Sequence, residues 1–67
     1  MALTDLQKGL IYLLKAYEMT EDEAIGTMLI LKTPRNYNAI IDWMETHTYA
    51  TADEVIQEAI NIRNEGK

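Results

Sequence analysis

The chain is expected to be all-α: a compact four-helix array of two helical hairpins packed around the second helix. Three observations carry this expectation. Four threonines stand where helices should begin, apolar residues recur at helical spacing behind each of them, and the segment Ala24 to Leu31 is apolar on most of its faces. A helix apolar over most of its circumference is normally surrounded by other elements. That segment is therefore the expected hub, with Ala24, Ile25, Met28, Leu29 and Leu31 inward and Ile30 pointing away.

The threonines set the order of elements. Thr4 precedes Gln7 by three residues, Thr20 precedes Glu23, and Thr51 precedes Glu54. Each pair matches the reciprocal capping box, in which the hydroxyl takes the N3 amide and the N3 side chain reaches back to the N-cap amide. Thr33 precedes Pro34, and proline suits the first helical position because its missing amide would be unpaired there anyway.

The first helix should run from about Asp5 to Tyr17, with Leu3, Leu6, Leu10, Leu13, Leu14 and Tyr17 as its core stripe. Gly9 and Ala16 beside the stripe suggest a close helix approach, because glycine costs ~1 kcal/mol against alanine in a helix. A short connection at Glu18-Met19 leads to the hub. Glu21, Asp22 and Glu23 suit the positive end of its dipole and Lys32 the negative end. The chain must bend at Thr33, since proline disfavours helical geometry in the residue before it. The third helix, about Pro34 to Thr46, carries Tyr37, Ile40, Ile41 and Met44 inward, with Trp43 and His47 beside them. A loop through His47-Thr48-Tyr49-Ala50 precedes the fourth helix, about Ala52 to Asn64. Its inward set is Ala52, Val55, Ile56, Ala59, Ile60 and Ile62, and Asn64 to Lys67 is expected as a loose end.

A faint repeat relates the hub to the fourth helix. Thr20-x-x-Glu23-Ala24-Ile25 matches Thr51-x-x-Glu54-Val55-Ile56, and Met28-Leu29-x-Leu31-Lys32 falls on Ala59-Ile60-x-Ile62-Arg63. Two similar hairpins are implied.

With 67 residues the chain makes one small domain, 1–67, whose limited core leaves stability marginal without help. Cysteine is absent, which removes disulfides and thiolate metal sites and suits a reducing cytoplasm. The longest apolar run, Met28 to Leu31, is far too short to span a bilayer. No basic region followed by an apolar run opens the chain, so a signal peptide is not expected. The expected location is cytoplasmic.

Catalysis is poorly supplied. His47 is the single histidine, and no second one stands at ligand spacing. The glycines are too scattered for a phosphate loop. No catalytic residue, cofactor, metal or small-molecule substrate is assigned, and an enzyme is not expected.

Two binding classes compete. The first is a small acidic protein–protein interaction or regulatory module, with a second copy of the chain among the candidate partners. Its expected contact patch is Lys8, Ile11, Tyr12 and Lys15 on the outer face of the first helix, where an aromatic and an aliphatic residue sit between two lysines. Those lysines would answer the acidic first turn, Glu21 to Glu23, of a neighbouring hub. The second class is a helix-turn-helix-like nucleic-acid regulator, using Arg35, Asn36 and Asn38 at the start of the third helix. Eleven acidic residues against six basic ones disfavour nucleic acid and anionic membranes.

Two local resemblances complete the reading. Ala50 to Ala59 resembles the first helix of a helix-turn-helix pair, but no segment for a recognition helix follows it in the sequence. Ala16-Tyr-Glu-Met-Thr-Glu-Asp-Glu-Ala-Ile25 resembles the first loop and second helix of ubiquitin-associated domains, and Ala39-Ile-Ile-Asp-Trp-Met44 their third helix. Glu18 stands where that family's loop carries glycine, the helix spacing is longer and a fourth helix is added. The resemblance therefore implies shared three-helix packing, and no binding residue is carried over from it.

Overall fold

A computed structural model describes residues 2–66. Among them are four helices and no strand: α1 (Asp5–Lys15), α2 (Glu21–Leu31), α3 (Pro34–Thr46) and α4 (Ala52–Gly66). Each begins where its threonine places it. Thr4, Thr20 and Thr51 all close reciprocal boxes, with hydroxyl-to-amide distances of 3.1, 3.1 and 3.2 Å. The return bonds from Gln7, Glu23 and Glu54 are 2.9, 3.0 and 3.0 Å. Thr33 caps α3 through the Asn36 amide at 3.3 Å, with Pro34 in the first turn.

α1 and α2 form one antiparallel hairpin, α3 and α4 the other. α2 packs broadly on α1 and α4 and also touches α3, while α1 and α4 barely meet. The radius of gyration is 10.6 Å, close to the ~11 Å expected of a well-packed chain this long. The core comprises Leu10, Ile11 and Leu14 from α1, Ala24, Met28 and Leu31 from α2, Tyr37, Ile40 and Met44 from α3, and Val55, Ala59 and Ile62 from α4, with Met19 between α1 and α2.

α1 stops at Lys15 rather than Tyr17, because Glu18 takes a left-handed conformation with φ 65°. The amides of Tyr17 and Glu18 bond back to Leu14 and Lys15, which tightens the last turn. Tyr17 then donates its hydroxyl to the carbonyls of Met44 and His47, at 3.0 and 3.1 Å. This ties the α1–α2 turn to the end of α3. α4 continues past Asn64 to Gly66, so the expected loose end is mostly helical; Lys67 lies outside the described residues.

Several inward assignments are corrected. Leu29 is 58% exposed and points out of the hub. The inward arc of α2 is instead Ala24, Thr27, Met28 and Leu31. Thr27 is tolerated there because its hydroxyl donates to the Glu23 carbonyl at 2.8 Å, which removes the cost of burying it. Leu13 and Ile60, at 37% and 36% exposed, lie at the edge of the core rather than in it, and Ile30 is half-buried. Gly9 serves no close approach: a Cβ built there meets nothing within 4 Å, and the same holds for Gly26.

The repeat does extend to burial. Ala24, Met28 and Leu31 are buried in α2, and their counterparts Val55, Ala59 and Ile62 are buried in α4. Leu29 and Ile60 correspond too, and neither belongs to the buried set, at 58% and 36% exposed.

These placements set two expectations for thermal melts. At concentrations where the chain is monomeric, Leu31→Ala, at a fully buried site, should destabilise by roughly 2–5 kcal/mol, while Leu29→Ala should cost less than about 1 kcal/mol. Equal losses would overturn the assignment of α2's inward face. Glu18→Gly should raise stability by about 1 kcal/mol, since only glycine takes positive φ without penalty, and Gly9→Ala should do the same through helix propensity.

Candidate functional site

The junction between α2 and α3 is built from two residues. Lys32 adopts φ 72° and ψ −50°, and the Thr33 amide donates to the Leu31 carbonyl at 2.9 Å. Together these make a γ-turn of the strained hand, centred on Lys32. The Asn36 side chain, itself only 9% exposed, donates Nδ2 to the same Leu31 carbonyl at 2.6 Å. Tyr37 donates its hydroxyl to the Lys32 carbonyl at 3.2 Å. The freed carbonyls at the end of α2 are thus met by side chains of α3.

This junction borders a surface groove of about 660 Å³. Lys32, Thr33, Arg35, Asn36, Arg63 and Asn64 line it over the apolar floor of Leu31. Three of the chain's six Lys and Arg residues are therefore gathered round one groove, and among the described residues no Asp or Glu lines it. α2 and α4 both terminate here, which means the two helices run in the same sense. The matching positions of the repeat, Lys32 and Arg63, meet as a result.

The opposite end carries both hairpin turns. Ala16, Tyr17 and Glu18 share a shallow recess with Thr48 to Ala52. Tyr49 is 100% exposed at its rim. His47 caps α3: its Nδ1 lies 2.8 Å from the Trp43 carbonyl and its ring stacks on Trp43 at 4.1 Å and 7°. Thr46 adds a hydroxyl 3.0 Å from the same Nδ1. These contacts hold the imidazole against the helix end.

The expected patch on α1 is only partly assembled. Lys8, Tyr12 and Lys15 are exposed, Tyr12 at 76%. Ile11 is a correction: it is 8% exposed and belongs to the core. Its position lies within reach of the helices flanking Leu10 and Leu14, so it packs inward and leaves Tyr12 without an aliphatic neighbour from that side. The nucleic-acid reading also loses a donor, because the Asn36 amide is committed to Leu31. Arg35 and Asn38 remain exposed.

The feature that residue-by-residue reading missed is the outer face of α2. Ile25, Gly26 and Ile30 are half-buried round exposed Leu29, and no charged residue falls between Glu23 and Lys32. The basic groove was missed as well. Its one signal in the sequence was the register of Lys32 with Arg63.

Among the described residues no cluster of three or more His, Asp or Glu could hold a metal ion, and no helix is long and apolar enough to cross a membrane. Asn36→Ala should destabilise by about 1–3 kcal/mol, because it strips a buried bond from the Leu31 carbonyl; a denaturant melt reads this directly. No protein-family model, curated protein or solved structure matches the chain.

Proposed function

We propose that the protein is a non-enzymatic binding module that associates with a second copy of itself through the outer face of α2. The observation that carries this reading is the exposure of Leu29 at 58% on a helix face with no charge between Glu23 and Lys32. Gly26 lies at the centre of that face and of the helix, with open space above it. A glycine there costs ~1 kcal/mol within the monomer and lets another backbone come close.

A second copy suits the face because the face is self-complementary in charge. α2 carries Glu21, Asp22 and Glu23 in its first turn, and Lys32 follows its last residue. Two such helices crossing antiparallel at Gly26 set the acidic turn of each beside the lysine of the other. Residues on both sides of a two-fold axis then meet equivalent partners, as an isologous dimer requires. Such an interface would also supplement a core limited by chain length.

Light scattering and melting across a wide concentration range test the proposal. The wild type should pass from monomer to dimer as concentration rises, with a melting temperature that climbs in step. Leu29→Glu should remain monomeric with an unchanged helical circular dichroism signal, while Tyr12→Glu should dimerise like the wild type. A strict monomer at every concentration defeats the proposal. Loss of association in Tyr12→Glu alone would move the contact to Lys8, Tyr12 and Lys15 on α1.

A further inference from the structure

We infer that the groove at the α2–α3 junction is a binding site for a small phosphate-bearing ligand. The chain as a whole is acidic, with a formal charge of −5, yet among the described residues this groove is lined by Lys32, Arg35 and Arg63 and by no Asp or Glu. The three cations come from three different elements: the residue ending α2, the first turn of α3 and the last turn of α4. Only the tertiary fold gathers them.

The hydrogen bonds at this end do not consume them. Asn36 and Tyr37 satisfy the Leu31 and Lys32 carbonyls, and among the described residues the three cationic groups take part in no hydrogen bond. Lysine and arginine at the ends of α2 and α4 also suit the carbonyl ends of those helices. That role does not involve Arg35, which stands at the opposite, amide end of α3, where an anion rather than a cation is favoured. The α3 amides add little to this, since Pro34 has no N–H and the Asn36 and Tyr37 amides donate to Thr33, so the Lys32, Arg35 and Arg63 side chains carry the site.

The ligand chemistry follows from the lining. Guanidinium forks match pairs of oxygens on one centre, and bind phosphate or carboxylate bidentately. Two arginines and a lysine around one groove exceed what a single carboxylate, with two oxygens and one charge, can use. A phosphate dianion has three terminal oxygens to offer. Thr33 and Asn64 add neutral polar groups at the wall, and Leu31 supplies an apolar floor. The groove, about 660 Å³, has room for a small organic phosphate. The acidity of the remaining surface opposes a long polyanion such as nucleic acid.

Lys32 is shared with the self-association contact, so the test rests on Arg35 and Arg63, which belong to α3 and α4. The full chain is titrated with inorganic pyrophosphate at low salt, at a concentration where light scattering reports monomer, and followed by amide NMR shifts. The expected result is saturable shifts confined to Leu31 to Asn36 and to Arg63 and Asn64. Arg35→Gln and Arg63→Gln should each weaken binding about tenfold, with unchanged melting temperatures. Lys8→Gln should bind as the wild type does. Succinate should bind more weakly than pyrophosphate, and equal or tighter succinate binding would overturn the phosphate assignment. Absence of shifts, shifts spread equally over Lys8 and Lys15, or undiminished binding in the double arginine variant would each overturn the site.

Discussion

The Leu31 carbonyl is the point on which the arrangement turns. It accepts from the Thr33 amide and from the buried Asn36 side chain, and so ends α2 and orients α3 within two residues. A longer connection would let the hairpins swing relative to each other. This one holds them because the strained φ of Lys32 is offset by bonds that both neighbouring helices supply. The placement of α4 follows, since α4 must return along α3 to reach the same end.

The remaining economy of the fold lies in its helix starts. A chain of 67 residues has little apolar surface to bury, and its helices are only 11 to 15 residues long. Helices this short are marginal alone in water. Capping satisfies amides that would otherwise be open at four helix starts, and the threonine of each cap also marks where the preceding connection must stop. Tyr17 plays the equivalent role between elements, joining two turns that no covalent link brings together.

The sequence made the caps legible because a cap is local: Thr4, Thr20, Thr33 and Thr51 need only residues within three positions of themselves. Element order, hairpin pairing and most of the core followed. Leu29 was misread because a helix apolar on nearly every face offers two arcs of similar appearance. The choice between them is made by where α1 and α4 press, and by the ability of Thr27 to satisfy its own hydroxyl. Ile11 was misread for a related reason, since a residue on the shoulder of a stripe is covered or bare according to the neighbouring helix. The left-handed turns at Glu18 and Lys32 gave no signal, as neither residue is glycine. The basic groove was invisible in linear order because Arg63 lies far along the chain from Lys32 and Arg35.

The common direction of α2 and α4 has an electrical consequence. Both helices start at the end with the two hairpin turns, where Glu18, Glu21, Asp22, Glu23, Asp53 and Glu54 collect. Both finish at the end with Lys32, Arg35 and Arg63. Charge is therefore unevenly spread along this net anion, with three cations against Asp5 and Glu65 at the α2–α3 end. A field of this form exerts a torque on anything charged that diffuses near it, before any surface touches. A small anion meets three cations at the groove and carboxylates at the helix starts. Raising ionic strength shortens the reach of that field to about 8–10 Å, after which encounters lose their preferred orientation.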